Sequence, residues 1–369
     1  MSYDPQVRLR VAFDGRTLTS PAGGVRRYVH ELFGAMGRVS SGVAVVAVGA
    51  PTHASLPTGV MAAPAGPALP SNLGWSLTGL PIGVRRAAAD VFHAPAYTAP
   101  LWGARPLVVT IHDVSYARHP EWYPSSVDPL RQAFYRASAR RADRILTDSE
   151  FSKREIVAAY DIDPASIDVV PLAASALFVA DPAVPREPVV LHVGDLHARR
   201  NLPMLLDVVL TLRRSVPGLG SLRLVLAGVD RGPLASLVEQ AAADRDALVH
   251  VGSPSDVELL QWYRRASVFA YPSRYEGFGI PLLEAMACGT PVVASTAASI
   301  PEVAGDGALL VDVDDVDGWR EAIRSLLTDR ALASDRAASG AARAARFTWE
   351  ATALATAAVY RRVAQEHRP

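Results

Sequence analysis

The sequence contains almost no lysine, since Lys153 is the single lysine among 37 basic residues. A pyridoxal Schiff base, or a phosphate-binding loop ending in Gly-Lys-Ser/Thr, therefore has one candidate residue, at the exposed start of a predicted helix. Cysteine is equally scarce, and Cys288 is the only one. This excludes a disulfide framework and fits a reducing compartment.

Net charge and long apolar runs are also missing. The chain has 37 basic and 37 acidic residues, so no bulk field attracts nucleic acid, and we expect no such partner. Apolar runs such as residues 43–50 are far shorter than the ~18 residues of a membrane span, and residues 1–5 show no signal-peptide pattern. We expect a soluble cytoplasmic protein and leave open peripheral contact with the inner face of the membrane.

The length and composition indicate a globular protein with two domains. Its 369 residues are 50% hydrophobic and 20% charged, which suffices for two separate cores. Short apolar strands alternate with helical segments, the pattern of an α/β protein with parallel sheets. Residues 180–188 contain three prolines and read as a linker. The predicted domains are therefore residues 1–180 and 181–346, followed by a final helix in residues 347–369.

One strand–loop–helix segment contains the strongest functional signal. Residues 266–271 are apolar and read as a buried strand. A loop with Gly277 and Gly279 follows, and Pro281 stands where a helix would begin. Gly289 is placed to end that helix. The start of a helix after a glycine loop presents N–H groups and a positive dipole end to an anion.

Two carboxylates flank this predicted anion site. The backbone amides of Phe278, Gly279 and Ile280 suit a phosphate, whereas Glu276 and Glu284, with seven residues between them, suit hydroxyl groups. A phosphate site between two carboxylates that bind hydroxyls is what a nucleoside diphosphate sugar requires, with its ribose on one side and its hexose on the other. The alternative is an ordinary βα loop with a capping glutamate.

Residues 276–294 carry a family resemblance. They read Glu-Gly-Phe-Gly-Ile-Pro-Leu-Leu-Glu-Ala-Met-Ala-Cys-Gly-Thr-Pro-Val-Val-Ala, which resembles the signature of the retaining glycosyltransferases of family 4. The resemblance implies the GT-B fold, in which two Rossmann-like domains face each other across a cleft and a C-terminal helix crosses back to the N-terminal domain. It also implies that Glu284 holds the ribose hydroxyls and that Glu276 contacts the transferred sugar near the reacting carbon.

A histidine at the end of a strand is the main candidate in the first domain. Residues 107–113 read as a buried strand ending in His112 and Asp113, and ligands of open α/β sheets bind beyond the carboxyl ends of the strands. A purely structural histidine is the alternative. The family resemblance implies that His112 hydrogen-bonds a sugar hydroxyl and supports charge near the anomeric centre. Asp113 would orient the ring or contact the acceptor.

Further donor-binding residues come from other strand-to-helix loops. A glycine-rich loop at residues 21–28 lies near the donor phosphates in the resembling family, although Arg26 stands where that family often has another glycine. Adjacent arginines at 199 and 200 present forked donors that suit a diphosphate, and the loop at 252–253 corresponds to the base side. The predicted donor-binding residues are Gly24, Gly194, Arg199, Arg200, Gly252, Ser253, Gly277, Phe278, Gly279, Ile280 and Glu284.

Two charged segments have alternative interpretations. Residues 130–141 form a basic helix, which is either a solvated face or a contact for anionic lipid or a lipid-diphosphate acceptor. The acidic run at 312–317 contains an Asp-x-Asp pair, but it directly precedes a helix, so capping is favoured over metal binding. The nine histidines show no metal-site spacing. We predict neither a metal nor a cofactor.

The predicted activity is transfer of a hexose from a nucleoside diphosphate sugar to a hydroxyl of a glycan or lipid-linked acceptor, with retention of anomeric configuration. Because no carboxylate is clearly a covalent nucleophile, front-face displacement is the favoured mechanism. GDP-mannose is the preferred donor, from overall resemblance to bacterial polysaccharide mannosyltransferases, and UDP- and dTDP-sugars are the alternatives. The alternatives are a GT-B nucleotide-sugar epimerase and a non-catalytic nucleotide-sugar binder.

Overall fold

A computed structural model describes residues 9–69, 71–104, 106–123 and 128–367. The chain divides into two compact units. The first unit combines Met1–Leu172 with Thr348–Pro369, and the second unit is Ala173–Phe347. The expectation concerning residues 1–5 lies outside the described residues.

Within the described part of the first unit, seven parallel strands form one sheet. Most of the connections between these strands contain helices, as is usual for parallel pairing. The strands are β1 (Leu9–Asp14), β2 (Val43–Val48), β3 (Val60–Ala63), β4 (Val91–Ala94), β5 (Leu107–Thr110), β6 (Arg144–Thr147) and β7 (Ile167–Val169). The helices up to β7 are α1 (Gly23–Arg38), α2 (Asn72–Leu77), α3 (Gly79–Arg86), α4 (Ser115–Arg118), α5 (Pro129–Arg141) and α6 (Glu150–Tyr160).

The order of this sheet is β3-β2-β1-β4-β5-β6-β7. Strands β4 and β5 are buried along their whole length, which explains their continuous apolar sequences. The strand order reverses between β1 and β4, which makes their carboxyl ends the expected ligand-binding edge of the unit.

Every residue of the second unit is described, and it contains a sheet of six parallel strands in the order β10-β9-β8-β11-β12-β13. The order reverses between β8 and β11. The strands are β8 (Glu187–Val193), β9 (Arg223–Ala227), β10 (Leu248–His250), β11 (Ala266–Tyr271), β12 (Val292–Ser295) and β13 (Leu309–Val311). The helices are α7 (Leu202–Ser215), α8 (Leu234–Gln240), α9 (Asp256–Arg265), α10 (Ile280–Ala287), α11 (Ile300–Ala304), α12 (Val316–Thr328) and α13 (Arg330–Ala344).

The last helix, α14 (Trp349–Glu366), belongs to the first unit. The Thr348 side chain caps it by accepting a hydrogen bond from the amide of Ala351 at 3.1 Å. The buried face of α14 packs against α1, and Tyr360 reaches His93 of β4 at 2.6 Å. The predicted return of the C-terminal helix to the N-terminal domain is thereby confirmed.

Several element boundaries differ from the sequence-based expectation. The units divide after Leu172, not after residue 180, so the proline-rich segment lies within the second unit. From the sequence alone, helical spacing begins at residue 29, but α1 begins six residues earlier, at Gly23, because glycines are tolerated in a first turn whose N–H groups have no intrahelical acceptors. Residues 51–70 are rich in Ala, Pro and Gly and predict a long loop, yet they contain the edge strand β3. In the described ranges, no helix is long and apolar enough to cross a membrane.

Candidate active site

The loops after β8 and β11 meet at the point where the second sheet reverses its strand order. Strand β11 ends at Tyr271, and α10 begins at Ile280 with Gly279 as its N-cap. Pro281 occupies the first turn of α10, where its missing N–H costs nothing. The strand–loop–helix segment predicted from residues 266–291 is confirmed, although the helix starts one residue before the expected Pro281.

Two glycines are required by the backbone here. Gly279 has φ = +104°, and a Cβ at this position would lie 3.4 Å from the Tyr271 ring. Gly194, directly after β8, has φ = +136°, and a Cβ there would lie 3.0 Å from the Arg200 guanidinium. Such φ values favour glycine. The structure thus places Gly194 against an arginine, and its contact with the donor stays a prediction.

Arg200 is buried, with 7% of its surface exposed. It donates to the Tyr271 hydroxyl at 3.0 Å and to the Ser273 hydroxyl at 3.2 Å, and it forms an ion pair with Glu276. The chain turns at Asn201 (φ = +53°), and Arg200 lies against the end of β11. Its contact with a diphosphate stays a prediction.

Arg199 contacts the same loop from the other side. Its Nη1 donates to the carbonyl of Tyr275 at 2.8 Å and lies 3.5 Å from Glu276 Oε2. The carbonyl of Arg199 accepts from the amide of Arg274 at 2.8 Å. The adjacent arginines therefore both reach Glu276, and the loop after β8 is fastened to the loop after β11.

Glu276 lies inside this loop, 5% exposed. The Ser299 hydroxyl, which precedes α11, donates to the carbonyl of Glu276 at 2.9 Å and to that of Phe278 at 3.2 Å. The Ser295 hydroxyl, at the end of β12, donates to the carbonyl of Ser273 at 2.6 Å. Two serines of the following βα connection thus hold the backbone that carries the predicted anion site.

The second predicted carboxylate, Glu284, is covered by protein. It is 1% exposed, and its Oε2 accepts a hydrogen bond from the Tyr263 hydroxyl at 2.9 Å. Tyr263 lies on α9 and is itself fully buried. Contact between Glu284 and a ribose remains a prediction, and it requires displacement of the groups that cover the carboxylate in this structure.

Several positively charged groups lie at this edge. Burial lowers the pKa of His197, and the nearby charges of Arg199 and Arg200 lower it further. The first turn of α10 adds the positive end of a helix dipole. These features together suit a diphosphate, which carries several acceptor oxygens.

One of the two predicted base-side residues, Ser253, lines a groove. Gly252 has φ = +66°, which favours glycine, and Ser253 is exposed. Pro254 and, from α9, Trp262 and Arg265 also line the groove. The volume of this groove is about 680 Å³, so a planar aromatic ring could be accommodated beside Ser253.

In the first unit, His112 lies in the short loop between β5 and α4. Its Nδ1 lies 2.8 Å from Asp148 Oδ2, beyond the end of β6. Asp113 instead accepts from the amide and the hydroxyl of Ser115 at 2.9 and 2.8 Å. Both roles expected of Asp113, orienting the His112 ring and contacting the acceptor, stay predictions.

Gly24, a predicted donor-binding residue, and His93, a weaker candidate at the end of its strand, also have defined surroundings in the first unit. Gly24 lies in the first turn of α1, where a Cβ would have no neighbour within 4 Å. His93 is fully buried between Thr110 and Tyr360, at 2.7 and 2.6 Å, which gives it a structural role. Burial, followed by the charge of His112, lowers the pKa of His93 to about 3.

The charged segments are also accounted for. The Asp315 side chain caps α12 by accepting from the amide of Gly318 at 2.9 Å, which confirms the capping interpretation. On α5, Arg136 and Arg140 donate to the carbonyls of Ala159 and Tyr160 at the end of α6, at 3.3 and 3.2 Å. These two arginines stabilise the last turn of a neighbouring helix.

Comparisons with known proteins agree with this architecture. The family model described as Glycosyl transferases group 1 matches residues 187–329, and the model described as Glycosyltransferase Family 4 matches residues 22–174. The chain is 33% identical over 291 residues to an O-antigen chain mannosyltransferase B of Escherichia coli, covering 73% of this chain and 74% of that protein. It is 35% identical over 255 residues to a D-inositol 3-phosphate glycosyltransferase of Kineococcus radiotolerans, covering 61% of this chain and 58% of that protein.

Among solved structures, a sucrose-phosphate synthase from Thermosynechococcus elongatus superposes with a TM-score of 0.76 at 23% identity. The superposition covers 97% of this chain and 100% of that one. The two parallel-sheet units and the returning helix are thus those of the GT-B fold. The chain belongs to the family 4 glycosyltransferases.

Proposed function

We propose that this glycosyltransferase moves a hexose from a nucleoside diphosphate sugar, with GDP-mannose as the donor, to a hydroxyl of a glycan or lipid-linked acceptor. The anomeric configuration is retained. The observation that carries the proposal is the convergence of Arg199, Arg200 and Glu276 with the N-terminus of α10 at one sheet edge. The name of the Escherichia coli relative supports mannose as the transferred sugar.

The diphosphate is proposed to bind Arg199, Arg200 and the first-turn amides of α10. In the structure Glu276 balances the charge of Arg200. When the diphosphate takes over that charge, the Glu276 carboxylate becomes available to accept hydrogen bonds from the hexose hydroxyls. Glu284 is proposed to accept hydrogen bonds from the ribose hydroxyls after the groups that cover its carboxylate have moved.

The proposed displacement occurs on one face of the sugar. The bond between the anomeric carbon and the diphosphate oxygen breaks, and the bond from that carbon to the acceptor oxygen forms. The acceptor proton passes to the leaving diphosphate. Fixed donors around the diphosphate stabilise the developing negative charge, and His112 donates a hydrogen bond to an oxygen of the bound sugars.

We further propose that catalysis needs no metal ion, and that the enzyme acts in the cytoplasm at the inner face of the membrane. The arginines of α5 favour an anionic surface. Sedimentation with anionic and neutral vesicles tests the membrane contact, which requires binding to the anionic vesicles alone. Chelation with EDTA should leave the transfer rate unchanged, and a loss that Mg²⁺ or Mn²⁺ restores would contradict the metal-free proposal.

The donor is tested first by thermal shift with GDP-mannose, UDP-glucose and a dTDP-sugar, since a ligand of the native state raises the melting temperature. The stabilising donor is then incubated with a lipid-linked acceptor, and NMR coupling at the anomeric carbon reports the configuration of the product. GDP-mannose should stabilise most and give a retained linkage. An inverted product, or an isomerised sugar formed from donor alone, would contradict the proposed reaction.

A further inference from the structure

His112 is held by a carboxylate from the neighbouring strand connection. Strands β5 and β6 are parallel neighbours, with Thr110 opposite Leu146, so the residues that follow them meet at one edge. The Thr147 hydroxyl donates to the carbonyl of Ile111 at 2.7 Å and fastens the two chain ends together. Asp148 is consequently 3% exposed and lies 2.8 Å from the Nδ1 of His112.

The chemistry of this contact fixes the hydrogens of the ring. An ionised carboxylate accepts hydrogen bonds and donates none, so Nδ1 of His112 carries the proton. The other nitrogen, Nε2, is buried and has no hydrogen-bond partner among the described residues. Tyr28 packs edge-on against the ring with centroids 4.7 Å apart, and Tyr97 does so at 6.2 Å. The ring is thereby held in one orientation, with Nδ1 bonded to Asp148 and Nε2 without a partner among the described residues.

The charged and titratable groups around the ring favour its cationic form. Burial alone lowers the pKa of His112, but the charge and hydrogen bond of Asp148, together with Asp113 and the Pro95 carbonyl, raise it in sum. His93 stays neutral because burial lowers its pKa to about 3. Burial raises the pKa of Tyr28, so that hydroxyl is neutral too.

We propose that Asp148 is the positioning residue of His112, holding the ring so that Nε2 presents a proton to an oxygen of the bound sugars. This inference rests on the proposed function, which gives His112 a hydrogen-bonding role. In its cationic form the ring donates from Nε2 and then contributes a hydrogen bond, not a base for the acceptor proton. Asp148 acts on the reaction only through His112.

The test is a double-mutant cycle with Asp148→Ala and His112→Ala, complemented by the isosteric Asp148→Asn. Each single substitution should lower kcat/KM about 10- to 100-fold, the range expected for a hydrogen bond to a charged group. Asp148→Ala should have no further effect in the His112→Ala background. If instead the two losses multiply, Asp148 acts independently of His112 and the inference is overturned.

A second measurement does not depend on catalysis. The His112 ring should titrate in ¹H–¹⁵N spectra at lower pH in Asp148→Asn than in the wild type, because burial remains while the carboxylate charge is lost. The high-pH limb of the activity profile should move in the same direction. Asp163→Asn, an exposed carboxylate that caps a short 3-10 turn, is the matched control and should change neither.

The two arms separate the possible failures. An unchanged His112 titration in Asp148→Asn, with a strong loss in His112→Ala, overturns the inference and leaves the proposed function intact. An unchanged rate in His112→Ala overturns the role proposed for His112 and therefore the role of Asp148. Melting temperatures of all variants show whether a loss of activity reflects unfolding, and in that case Asp148→Asn decides.

Discussion

Glu276 and Arg200 form a buried ion pair at the end of β11, with 5% and 7% of their surfaces exposed. Removing two charges from water is costly, and their mutual attraction offsets that cost only when both partners are present. The pair is therefore sensitive to the loss of either residue, in stability as well as in donor binding.

Arg200→Met should destabilise the second unit by up to about 3–5 kcal/mol, because Glu276 is left buried with only Arg199 nearby. The double variant Arg200→Met/Glu276→Gln should recover part of that loss, since the buried carboxylate is gone and only the less buried Arg199 loses a partner. Urea unfolding of the three proteins measures this difference. The exposed Arg324→Met should leave the midpoint unchanged, and equal stability of the single and double variants would contradict the prediction.

Tyr263→Phe should weaken donor binding. The substitution removes the hydroxyl that donates to Glu284, so the carboxylate is no longer held in one orientation. We expect the KM for the donor to rise by roughly tenfold, with a smaller change in kcat. Steady-state kinetics at varied donor concentration measure both constants. Tyr135→Phe removes a hydroxyl from the first unit and serves as the control, with an unchanged KM.

Arg186→Ala should destabilise the second unit without touching the site. The guanidinium donates to the carbonyls of Tyr263 and Ala266 at 2.9 and 3.0 Å and to that of Gly289 at 2.7 Å. It thus joins the ends of α9 and α10. Several partly buried carbonyls lose their donor, so a loss of roughly 3 kcal/mol is expected. Chemical denaturation measures this loss of stability. Arg186→Lys should restore only part of it, because a lysine ammonium cannot reach all the carbonyls that the planar guanidinium contacts.

His192 should make the protein sensitive to acid. It is fully buried, and burial, followed by the charge of Arg200, lowers its pKa to about 3. The unfolded chain binds a proton near pH 6.5 and the folded chain does not, so stability falls as the pH drops through that value. From pH 7 to pH 5 this group alone costs about 2 kcal/mol. His192→Gln should flatten that slope in urea titrations, and an unchanged slope would exclude His192 as its source.

Much of the fold could be predicted from the sequence. Strand β11 and helix α10 were bounded correctly within one or two residues, because a wholly apolar run is followed by proline and glycine at positions where only a turn accommodates them. The start of α1 was predicted too late because Gly23 and Gly24 look like loop residues, yet they occupy a first turn.

The contacts within the site were harder to predict from the sequence. The position of Arg200 depends on the left-handed turn at Asn201, which no sequence pattern marked. The partner of His112 was missed, although a signal existed: Asp148 follows β6 as His112 follows β5, and neighbouring parallel strands end at one edge. The contact between Tyr263 and Glu284 joins two helices separated by a strand, and their spacing in the chain carries no such information.

The first unit combines the segment before the second unit with helix α14 after it, and Trp349 and Tyr360 lie in its interior. Residues 348–367 leave the ribosome only after the whole second unit, so the sheet of the first unit cannot complete its core before the second unit has been synthesised. The uninterrupted second unit can fold as soon as it has emerged. Proteolysis or a premature stop after Phe347 would therefore remove α14, expose the core of the first unit and leave the second unit intact.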